Sequence, residues 1–497
     1  RNICSFHFLH IMKIVLTAER CLMSNYNGAL FLGFMGCAPK NLVPSPLFFR
    51  FVCPPVAMDK NGAVLAPNGT RKIEAALIEN GFEVIVVPPE KIEKFARKAK
   101  AIGITTNDPL GLGPASSTFS GRYGLVKEES YNAFCFKRLV QKVNEVSDAK
   151  IVVGGAGAWQ LADEKIMNEL GIDVVVIGEG EKIAPEIFGK ILNGEDVHGI
   201  FYGDVVEQIP VNRRATVGGI VEIARGCGRG CKFCQPTLQR LRSRPLADII
   251  EEVKVNAKLN KFATLHAEDV LRYKANGFEV NKGEVLKLFS ETSKICKIGI
   301  SHFSLATVAK AESIVSEISS ILGIPNKNQP WLAGQTGIET GSPKLIKEHM
   351  PGKVLPFKAE EWCDVVETSF GICADNHWIP CATLIIGLPN ETEEDVLRTI
   401  ELLGRLKNYK SLIVPLFFVP VGTMKATKHF SSEDLKHYHW ELMITCWKHD
   451  TKWMRVLANE YLAKMPMLSR FFLQRFIDWA IREGERRLEK MLSAKLH

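Results

Sequence analysis

The feature that most constrains the fold of this chain is the alternation of short β-branched runs with helical stretches over residues 12–202. Such an alternation predicts a parallel sheet with helices on both faces, so we expect an α/β domain over residues 12–205. The predicted helix Gly69–Asn80 is amphipathic and ends at Gly81. The predicted strands are Lys13–Ala18, Phe82–Val87, Ala101–Thr106, Lys150–Val153 and Asp173–Ile177.

A second set of strands and helices follows a short predicted linker over Gln208–Gly219. Six β/α units in about 200 residues suit a partial (β/α)6 barrel better than a closed eightfold one, and we expect this TIM-like barrel over residues 206–425. Residues 426–497 are predicted to form a helical C-terminal extension. The six predicted strands are Val221–Arg225, Ala263–His266, Ile298–Ser301, Gln335–Glu339, Ala382–Gly387 and Leu412–Phe417.

The composition is that of an ordinary globular protein, with 46% apolar and 24% charged residues. The net charge of +8, from 63 basic and 55 acidic residues, demands no nucleic-acid partner. The 13 cysteines are too few for a disulfide scaffold, and the longest apolar run, Leu412–Val421, is too short to cross a bilayer. We expect a cytoplasmic protein without stable nucleic-acid or transmembrane association, in which residues 1–11 are a non-native or disordered leader.

The strongest chemical signal is the segment Gly226–Cys234, GCGRGCKFC, in which Cys227, Cys231 and Cys234 have the spacing C-x3-C-x2-C. The interleaved glycines allow the backbone to wrap closely around a compact group. Thiolates at this spacing suit an iron–sulfur cluster, and a set of three leaves one iron without a protein ligand. A zinc site completed by a nearby histidine and buried free thiols are the alternatives.

These cysteines match the signature of the radical S-adenosylmethionine (SAM) superfamily, including the aromatic Phe233 before the last cysteine. Further segments that resemble the superfamily follow in order: Leu265–Asp269 (LHAED), Gly337–Lys353 and Ile385–Asp395. The resemblance implies a 4Fe-4S cluster whose open iron binds SAM, and reductive cleavage of SAM to a 5′-deoxyadenosyl radical. The protein would bind and position these groups, while the cofactor carries the chemistry.

The same resemblance implies SAM contacts at two strand ends. Glu268 or Asp269 would accept a hydrogen bond from the SAM ammonium group. Glu339, Thr340 and Ser342 stand where relatives hold the ribose hydroxyls. Helix capping and surface solvation are the alternatives for each of these residues.

For three further residues the sequence leaves two roles open. Arg225 directly precedes the loop and would either help to set the potential of the cluster or pair with a carboxylate. His266 and His302 end predicted strands inside the barrel. Either histidine would touch substrate or lie in the core with its hydrogen bonds satisfied.

The N-terminal half carries two glycine-rich strand ends, Val152–Trp159 (VVGGAGAW) and Gly171–Glu181 (GIDVVVIGEGE). In their order they resemble the Rossmann-like cobalamin-binding domain fused ahead of many radical SAM barrels, in which glycines let the backbone approach a bulky ligand. Glu19–Gly28 lacks the histidine that other cobalamin proteins supply to cobalt, so cobalamin would bind without it; a domain that has lost the ligand is the alternative. The residues assigned to the cofactor are Thr105, Thr106, Gly154, Gly155, Gly178, Glu179 and Gly180.

Cys21, Cys37 and Cys53 keep a rival open, because methylthiotransferases carry three cysteines in a flavodoxin-like domain and bind a second cluster there. Free thiols are the alternative. Near the C-terminus, Ser469–Lys495 is a basic amphipathic helix. We expect it to pack against the barrel, with attachment to a membrane surface as the alternative.

Taken together, the resemblance implies a cobalamin-dependent radical SAM C-methyltransferase that acts through the 5′-deoxyadenosyl radical and methylcobalamin. The alternatives are another radical transformation such as ring formation, a methylthiotransferase, and a redox- or cobalamin-sensing iron–sulfur binding protein. The substrate is left open among a peptide, a lipid and a small molecule. An electron donor such as flavodoxin or ferredoxin is the expected protein partner.

Overall fold

The computed structural model describes residues 13–28 and 30–462 and, beyond them, residues 467, 470, 471, 474, 475, 478, 479 and 481–486. The predicted leader over residues 1–11 lies outside the described residues, as does much of the predicted helix Ser469–Lys495. In the part of the chain that is described, no helix is both long enough and apolar enough to cross a membrane.

Among the residues that the structure describes, the first domain contains eight strands and eight α-helices. The strands are β1 (Ile14–Ala18), β2 (Met58–Asp59), β3 (Gly62–Ala63), β4 (Val84–Val86), β5 (Ala101–Thr105), β6 (Lys150–Gly154), β7 (Val174–Gly178) and β8 (Gly199–Gly203). The helices are α1 (Arg20–Met23), α2 (Ser45–Leu47), α3 (Asn68–Glu79), α4 (Ile92–Ala96), α5 (Pro114–Phe119), α6 (Tyr131–Asn144), α7 (Glu164–Leu170) and α8 (Ile183–Leu192).

Six of these strands form one parallel sheet in the order β4-β1-β5-β6-β7-β8. The inner strands are rich in Val and Ile because both faces are buried, one under α3 and α8 and the other under α4, α6 and α7. The predicted α/β fold of this half is therefore confirmed, and β8 is an edge strand that the sequence did not predict. The remaining two strands, β2 and β3, form a separate antiparallel hairpin.

Up to residue 462, the described part of the second domain contains eight further strands and eight further α-helices. The strands are β9 (Ile220–Glu222), β10 (Ala224–Arg225), β11 (Arg242–Ser243), β12 (Phe262–His266), β13 (Lys297–Ile300), β14 (Leu332–Glu339), β15 (Trp378–Ile386) and β16 (Leu412–Phe417). The helices are α9 (Leu246–Asn260), α10 (Lys282–Ser293), α11 (Leu305–Lys310), α12 (Glu312–Leu322), α13 (Pro343–His349), α14 (Trp362–Asp375), α15 (Glu393–Leu406) and α16 (His437–Leu462).

Parallel pairing connects these strands into an open barrel. Strands β9, β12 and β13 form one half, and β14, β15 and β16 form the other. The halves meet where Gln335 N donates to Ser301 O at 2.7 Å and Phe303 N donates to Gln335 O at 3.0 Å. The predicted partial barrel is therefore confirmed, with the order β9-β12-β13-β14-β15-β16. Its outer face is buried under helices α9, α10, α12, α14 and α15.

Buried ion pairs join the two domains. Lys72 on α3 contacts Glu252 on α9 at 2.5 Å, and Arg244 contacts the same carboxylate at 2.8 Å. Asn212, within the predicted linker, donates its backbone N–H to Glu252 at 2.9 Å. The linker is therefore part of a packed interface, and it fixes the carboxyl edge of the sheet relative to the barrel.

Helix α16 extends along the barrel and closes the second domain. Trp440 and Cys446 are buried in the barrel core, and His449 hydrogen-bonds Ser411 at 2.8 Å. In the C-terminal stretch, Ile481 is buried, and Gly484 lies so close to Trp447 of α16 that an added Cβ would meet its ring. The described part of the tail thus agrees with the expected packing against the body of the protein.

Candidate functional site

The cysteine loop Gly226–Cys234 lies between the short strands β10 and β11. Gly226, Gly228 and Gly230 have φ values of 78°, 68° and 69°, in the left-handed region that favours glycine. A Cβ on Gly226 would lie 2.3 Å from the carbonyl oxygen of Arg240. The glycine pattern seen in the sequence therefore has a steric cause, and it leaves the three thiols half-buried on one tight loop.

The thiols of the loop influence one another electrostatically. Burial, with the nearby charges of Cys227, Cys231 and Glu268, raises the pKa of Cys234 to about 12. Burial also raises the pKa of Cys231, although the positive charge of Lys353 opposes it. Such thiols become ligands when a metal replaces the proton, since metal binding deprotonates them.

A single metal ion and an iron–sulfur cluster require different arrangements of their ligands. Within the described residues, no three His, Cys, Asp or Glu side chains converge as ligands of one metal ion do. A zinc ion draws its ligands to one point, whereas a 4Fe-4S cluster is surrounded by thiolates that bind different irons. Three thiols on one tight loop suit the second arrangement.

Two arginines connect the cysteine loop to the barrel, Arg229 from within the loop and Arg272 from the barrel. Arg229 is buried and donates to Thr307 at 2.9 Å and to carbonyl groups of the segment 352–355. Arg272 donates to the carbonyl group of Cys227. Both guanidinium groups lie over the ring of Phe278, at 5.3 and 4.9 Å from its centre. These cations also favour the negative charge of a thiolate-bound cluster.

The two acidic residues after β12 differ in what they contact. Asp269 is buried, accepts a hydrogen bond from Thr307 at 2.6 Å and lies 3.7 Å from Arg229, so it helps to brace the loop. Glu268 has a buried oxygen, Oε2, that has no partner within the described residues. Burial raises the pKa of Glu268, although the charge of His266 opposes it. An unpaired acceptor beside the cysteine loop fits the predicted contact with an ammonium group.

Glu339 ends strand β14 in a strained conformation. Its φ is 63°, uncommon for a residue with a side chain, and its carboxylate accepts from Lys353 at 2.9 Å and from Thr383 at 3.1 Å. Burial lowers the pKa of Lys353, but the charges of Glu339 and Cys231 together raise it overall. Lys353, which the sequence did not single out, therefore connects Glu339 to the cysteine loop electrostatically.

Thr340 and Ser342 have structural partners. Ser342 is the N-cap of α13 and donates to Asp395 at 2.5 Å. Thr340 accepts from the backbone N–H of Ser342 at 3.1 Å. The capping alternative thus describes what these side chains do here, and a role in SAM binding stays a prediction. Phe233 packs partly buried against the barrel core.

A cavity of about 270 Å³ opens at the carboxyl edge of the first sheet. Its walls include the apolar side chains of Leu16, Ile73 and Phe188. Arg225 and Gln235, which flank the cysteine loop, also line it, and the side chain of Gln235 donates to the carbonyl group of Ala156 at 3.1 Å. Of the residues predicted to hold a cofactor, the structure places around this cavity Thr105, Gly154, Gly155, Gly178, Glu179 and Gly180.

Thr106 and Glu179, both predicted to hold a cofactor, have other partners. Thr106 is fully buried away from the cavity lining, and its hydroxyl group donates to Glu19 at 3.4 Å. Glu179 lines the cavity, but its carboxylate accepts hydrogen bonds from Arg225 at 2.9 Å and from Arg242 at 2.5 Å. Arg225 also pairs with Glu181 and Glu222, which fits the expectation that it pairs with carboxylates.

Cys21, Cys37 and Cys53, the ligands of a second cluster in the rival interpretation, have different partners in the structure. Cys21 lies 3.7 Å from Cys135, measured between sulfurs, and Cys53 also contacts Cys21. Cys37 lies apart and accepts a hydrogen bond from Asn132 at 3.5 Å. Cys135 also lines a pocket together with Arg20 and Phe49.

Sequence comparison gives distant relatives. No family model matches the chain. A Methanocaldococcus jannaschii protein named as a methylthiotransferase is 26% identical over 287 residues, which are 53% of this chain and 60% of that protein. The tRNA-2-methylthio-N(6)-dimethylallyladenosine synthase of Thermotoga petrophila is 28% identical over 307 residues, 60% of this chain and 65% of the synthase. These matches span less than two thirds of the relatives' own length.

Structural comparison covers more of the chain. A structure of the radical S-adenosylmethionine methyltransferase TsrM from Kitasatospora setae, with tryptophan substrate and a SAM analogue bound, matches with a TM-score of 0.56 and 15% identity over 83% of this chain and 75% of TsrM. A second TsrM structure, with cobalamin and a 4Fe-4S cluster bound, gives a TM-score of 0.54 and 14% identity over 83% of this chain and 74% of TsrM. The likeness confirms the fold class predicted for this chain.

Proposed function

We propose that this chain is a cobalamin-binding radical SAM enzyme that transfers a methyl group to a carbon atom of its substrate. The observation that carries the proposal is the shared wall of the cavity. Glycine-rich strand ends of the first sheet form one side, and Arg225 and Gln235, on either side of the cysteine loop, complete it. A cofactor held at the sheet would therefore lie beside a cluster held by the loop.

The residues present fit both cofactors. Cys227, Cys231 and Cys234 would hold the cluster, and the unpaired oxygen of Glu268 would accept from the SAM ammonium group. The cavity is smaller than cobalamin, and its apolar walls suit an aromatic ring at the end of the cofactor's tail. When bound, the cluster with SAM would supply a radical on the substrate, and cobalamin would supply a methyl group.

The comparisons support the part of this proposal that makes the chain a radical SAM enzyme. TsrM, whose fold this chain shares over 83% of its length, is a radical SAM methyltransferase whose structure contains cobalamin and a 4Fe-4S cluster. The methylthio synthases, which match about 60% of this chain, support SAM chemistry of the same kind. The likeness to TsrM and to the methylthio synthases supports an enzyme rather than a sensing protein with an inert cluster.

A methylthiotransferase is the second candidate, because the sequence relatives carry that name. A methylthiotransferase would hold a second cluster, for which the sequence offers Cys21, Cys37 and Cys53. The structure separates Cys37 from the other two thiols and places Cys21 and Cys53 in an apolar core with Tyr131. This arrangement favours the methyltransferase.

The test uses the full chain, reconstituted without oxygen with iron, sulfide and hydroxocobalamin. Reduction and addition of SAM with a labelled methyl group should give 5′-deoxyadenosine, S-adenosylhomocysteine and the label on cobalamin. In the matched variant Cys231→Ala, 5′-deoxyadenosine should disappear, while labelling of cobalamin should remain. Formation of 5′-deoxyadenosine by a protein that binds no cobalamin would refute the methyltransferase and leave another radical reaction.

A further inference from the structure

The inner face of the barrel is partly exposed along strands β12, β13 and β14. Alternate residues of the strands point toward the helices and are buried, such as Leu332 and Ile338 on β14. Between them, Ala333 and Gln335 are exposed, although β14 is a central strand. Closed barrels fill this space with large branched side chains. On β12, β13 and β14 small or polar residues stand here, whereas the same face of β15 and β16 carries Ile379, Ile385 and Leu412. The inner positions include Thr264, Gly299, Ser301, Ala333, Gln335 and Thr383.

His266 belongs to this inner face at the end of β12. It pairs in register with Glu222 of β9, and its Nδ1 lies 3.0 Å from Ser301 Oγ. Ser301 Oγ also lies 3.2 Å from the carbonyl oxygen of Ala267 and accepts from Ala267 N at 3.3 Å. We find no other donor to this buried carbonyl group among the described residues. Because a buried carbonyl group requires a donor, the single hydroxyl proton of Ser301 goes to Ala267.

This arrangement fixes the tautomer of His266. Since the Ser301 proton is used by Ala267, the contact with His266 requires that Nδ1 carries the proton and donates to Ser301. In the neutral ring, the other nitrogen, Nε2, is then an acceptor. His266 is half-buried, and Nε2 makes no hydrogen bond within the part of the chain that is described.

The groups around His266 leave this acceptor available. The Glu222 carboxylate is held on both oxygens by Arg225, at 2.7 and 3.0 Å. Glu268 lies close enough for its charge to interact with His266, but the two form no hydrogen bond. The ring of His302 meets that of His266 edge to face at 5.7 Å, and burial, followed by the charge of His266, lowers the pKa of His302 to about 4.

We infer that His266 Nε2 accepts a hydrogen bond from the substrate, and that the substrate therefore carries an N–H or O–H donor beside its reacting carbon. This inference rests on the proposed function, because it takes the open barrel face next to the cysteine loop as the substrate site. Ser301 is the positioning residue that holds the tautomer. A substrate that offers only acceptors or hydrocarbon to this wall is excluded.

The first test measures the tautomer directly. Nitrogen NMR of the full chain, labelled at histidine and with its cluster oxidised, should show His266 protonated on Nδ1 in the wild type. Ser301→Ala should lose that preference. His377, which is outside the barrel face, provides the assignment control as His377→Gln. A proton on Nε2, or on both nitrogens at neutral pH, would overturn the inference.

The second test uses matched probes in the same spectra. Indole and 2-pyrrolidinone carry an N–H donor, and 1-methylindole and N-methyl-2-pyrrolidinone lack it. The donors should shift His266 Nε2 and should bind about tenfold more weakly to His266→Leu, the loss expected for one hydrogen bond. The methylated probes should bind both proteins alike. Equal shifts from both members of each pair would sink the inference.

These results are separable from the proposed function. SAM cleavage to 5′-deoxyadenosine by the wild type without substrate tests the proposed function alone, and the histidine spectra test this inference alone. If the wild type itself fails to cleave SAM, the proposed function fails whatever the tautomer. If the wild type cleaves SAM and His266 carries its proton on Nε2, this inference alone fails.

Discussion

The carboxylate of Glu179, just after strand β7, accepts two hydrogen bonds from Arg242 of the second domain, at 2.8 and 2.5 Å. Arg225, next to the cysteine loop, adds a third at 2.9 Å. Both arginines and Glu179 are buried or nearly so. This ionic contact connects the rim of the cavity to the loop that carries Cys227.

Removing the charge of Glu179 should loosen this contact. Breaking one partner of a buried ion pair costs ~3–5 kcal/mol, so Glu179→Gln should lower the thermal unfolding midpoint clearly. It should also weaken cobalamin binding, because Glu179 lines the cavity. The matched control is Glu207→Gln, which breaks the exposed pair with Arg240 and should cost less than about 1 kcal/mol. Equal effects of the two substitutions would contradict this role of Glu179.

The same contact has a predictable dependence on acid. Burial would raise the pKa of Glu179, but the hydrogen bond from Arg242 and the other donors lower it overall. A carboxyl group with a lowered pKa stabilises the fold above its unfolded pKa and loses that contribution as pH falls through the folded pKa. Stability of the wild type should therefore fall more steeply below pH 4.5 than that of Glu179→Gln, as measured by denaturant unfolding. Parallel curves would argue against it.

The cysteine loop gives the simplest loss-of-function prediction. Replacing Cys227 by Ala should remove iron and visible absorption from the reconstituted protein, because three thiolates are needed to hold the cluster. Cleavage of SAM should become undetectable. Cys296→Ala, which changes a half-buried cysteine before β13, should behave like the wild type. Retention of the cluster in Cys227→Ala would show that this loop does not hold it.

Filling the cavity should separate the two cofactors. Gly154 lines the cavity, and a Cβ there would meet only ordinary contacts at 3.8 Å, so Gly154→Leu should fold. Overpacking typically costs ~1–3 kcal/mol, which corresponds to a loss of about 5-fold to 150-fold in cobalamin affinity. Iron content should be unchanged. Gly404→Leu, in open space on α15, is the control. Unchanged cobalamin binding in Gly154→Leu would place that cofactor elsewhere.

Glu19, at the carboxyl end of β1, predicts an effect of alkali. Burial raises its pKa from 4.5 to about 8, so the folded protein holds a proton that the unfolded chain releases. The contribution of this group is complete below about pH 4.5 and is lost as pH rises through 8. Relative to Glu19→Gln, the wild type should lose stability between pH 5 and pH 9. Exposed Glu195→Gln should leave the wild-type profile unchanged, and a flat difference for Glu19→Gln would contradict the assignment.

Local patterns predicted the elements of the fold and the central part of the site. The β-branched runs identified every inner strand of the first sheet, because such strands are buried on both faces. The spacing of Cys227, Cys231 and Cys234 identified the loop, and its glycines proved to be required by their φ values. Strand β8 was missed because its apolar run, Ile200–Tyr202, is only three residues long between two glycines and lies at the sheet edge.

What the sequence did not predict is set by contacts between distant segments. Arg242 reaches Glu179 across 63 residues, and Cys135 reaches Cys21 across 114. Neither pairing leaves a local signal, since charged and cysteine residues have many possible partners before the chain folds. The carboxylate of Glu179 was therefore expected to face a cofactor, whereas in the structure it binds two arginines.

The most direct test of the account is the iron and cobalamin content of the full chain after anaerobic reconstitution. The shared wall between cysteine loop and sheet cavity predicts one four-iron cluster and one cobalamin for each chain. Both should be present in the same molecule and should elute together. Two clusters without cobalamin would contradict the account and would identify the cysteines of the first domain as ligands after all.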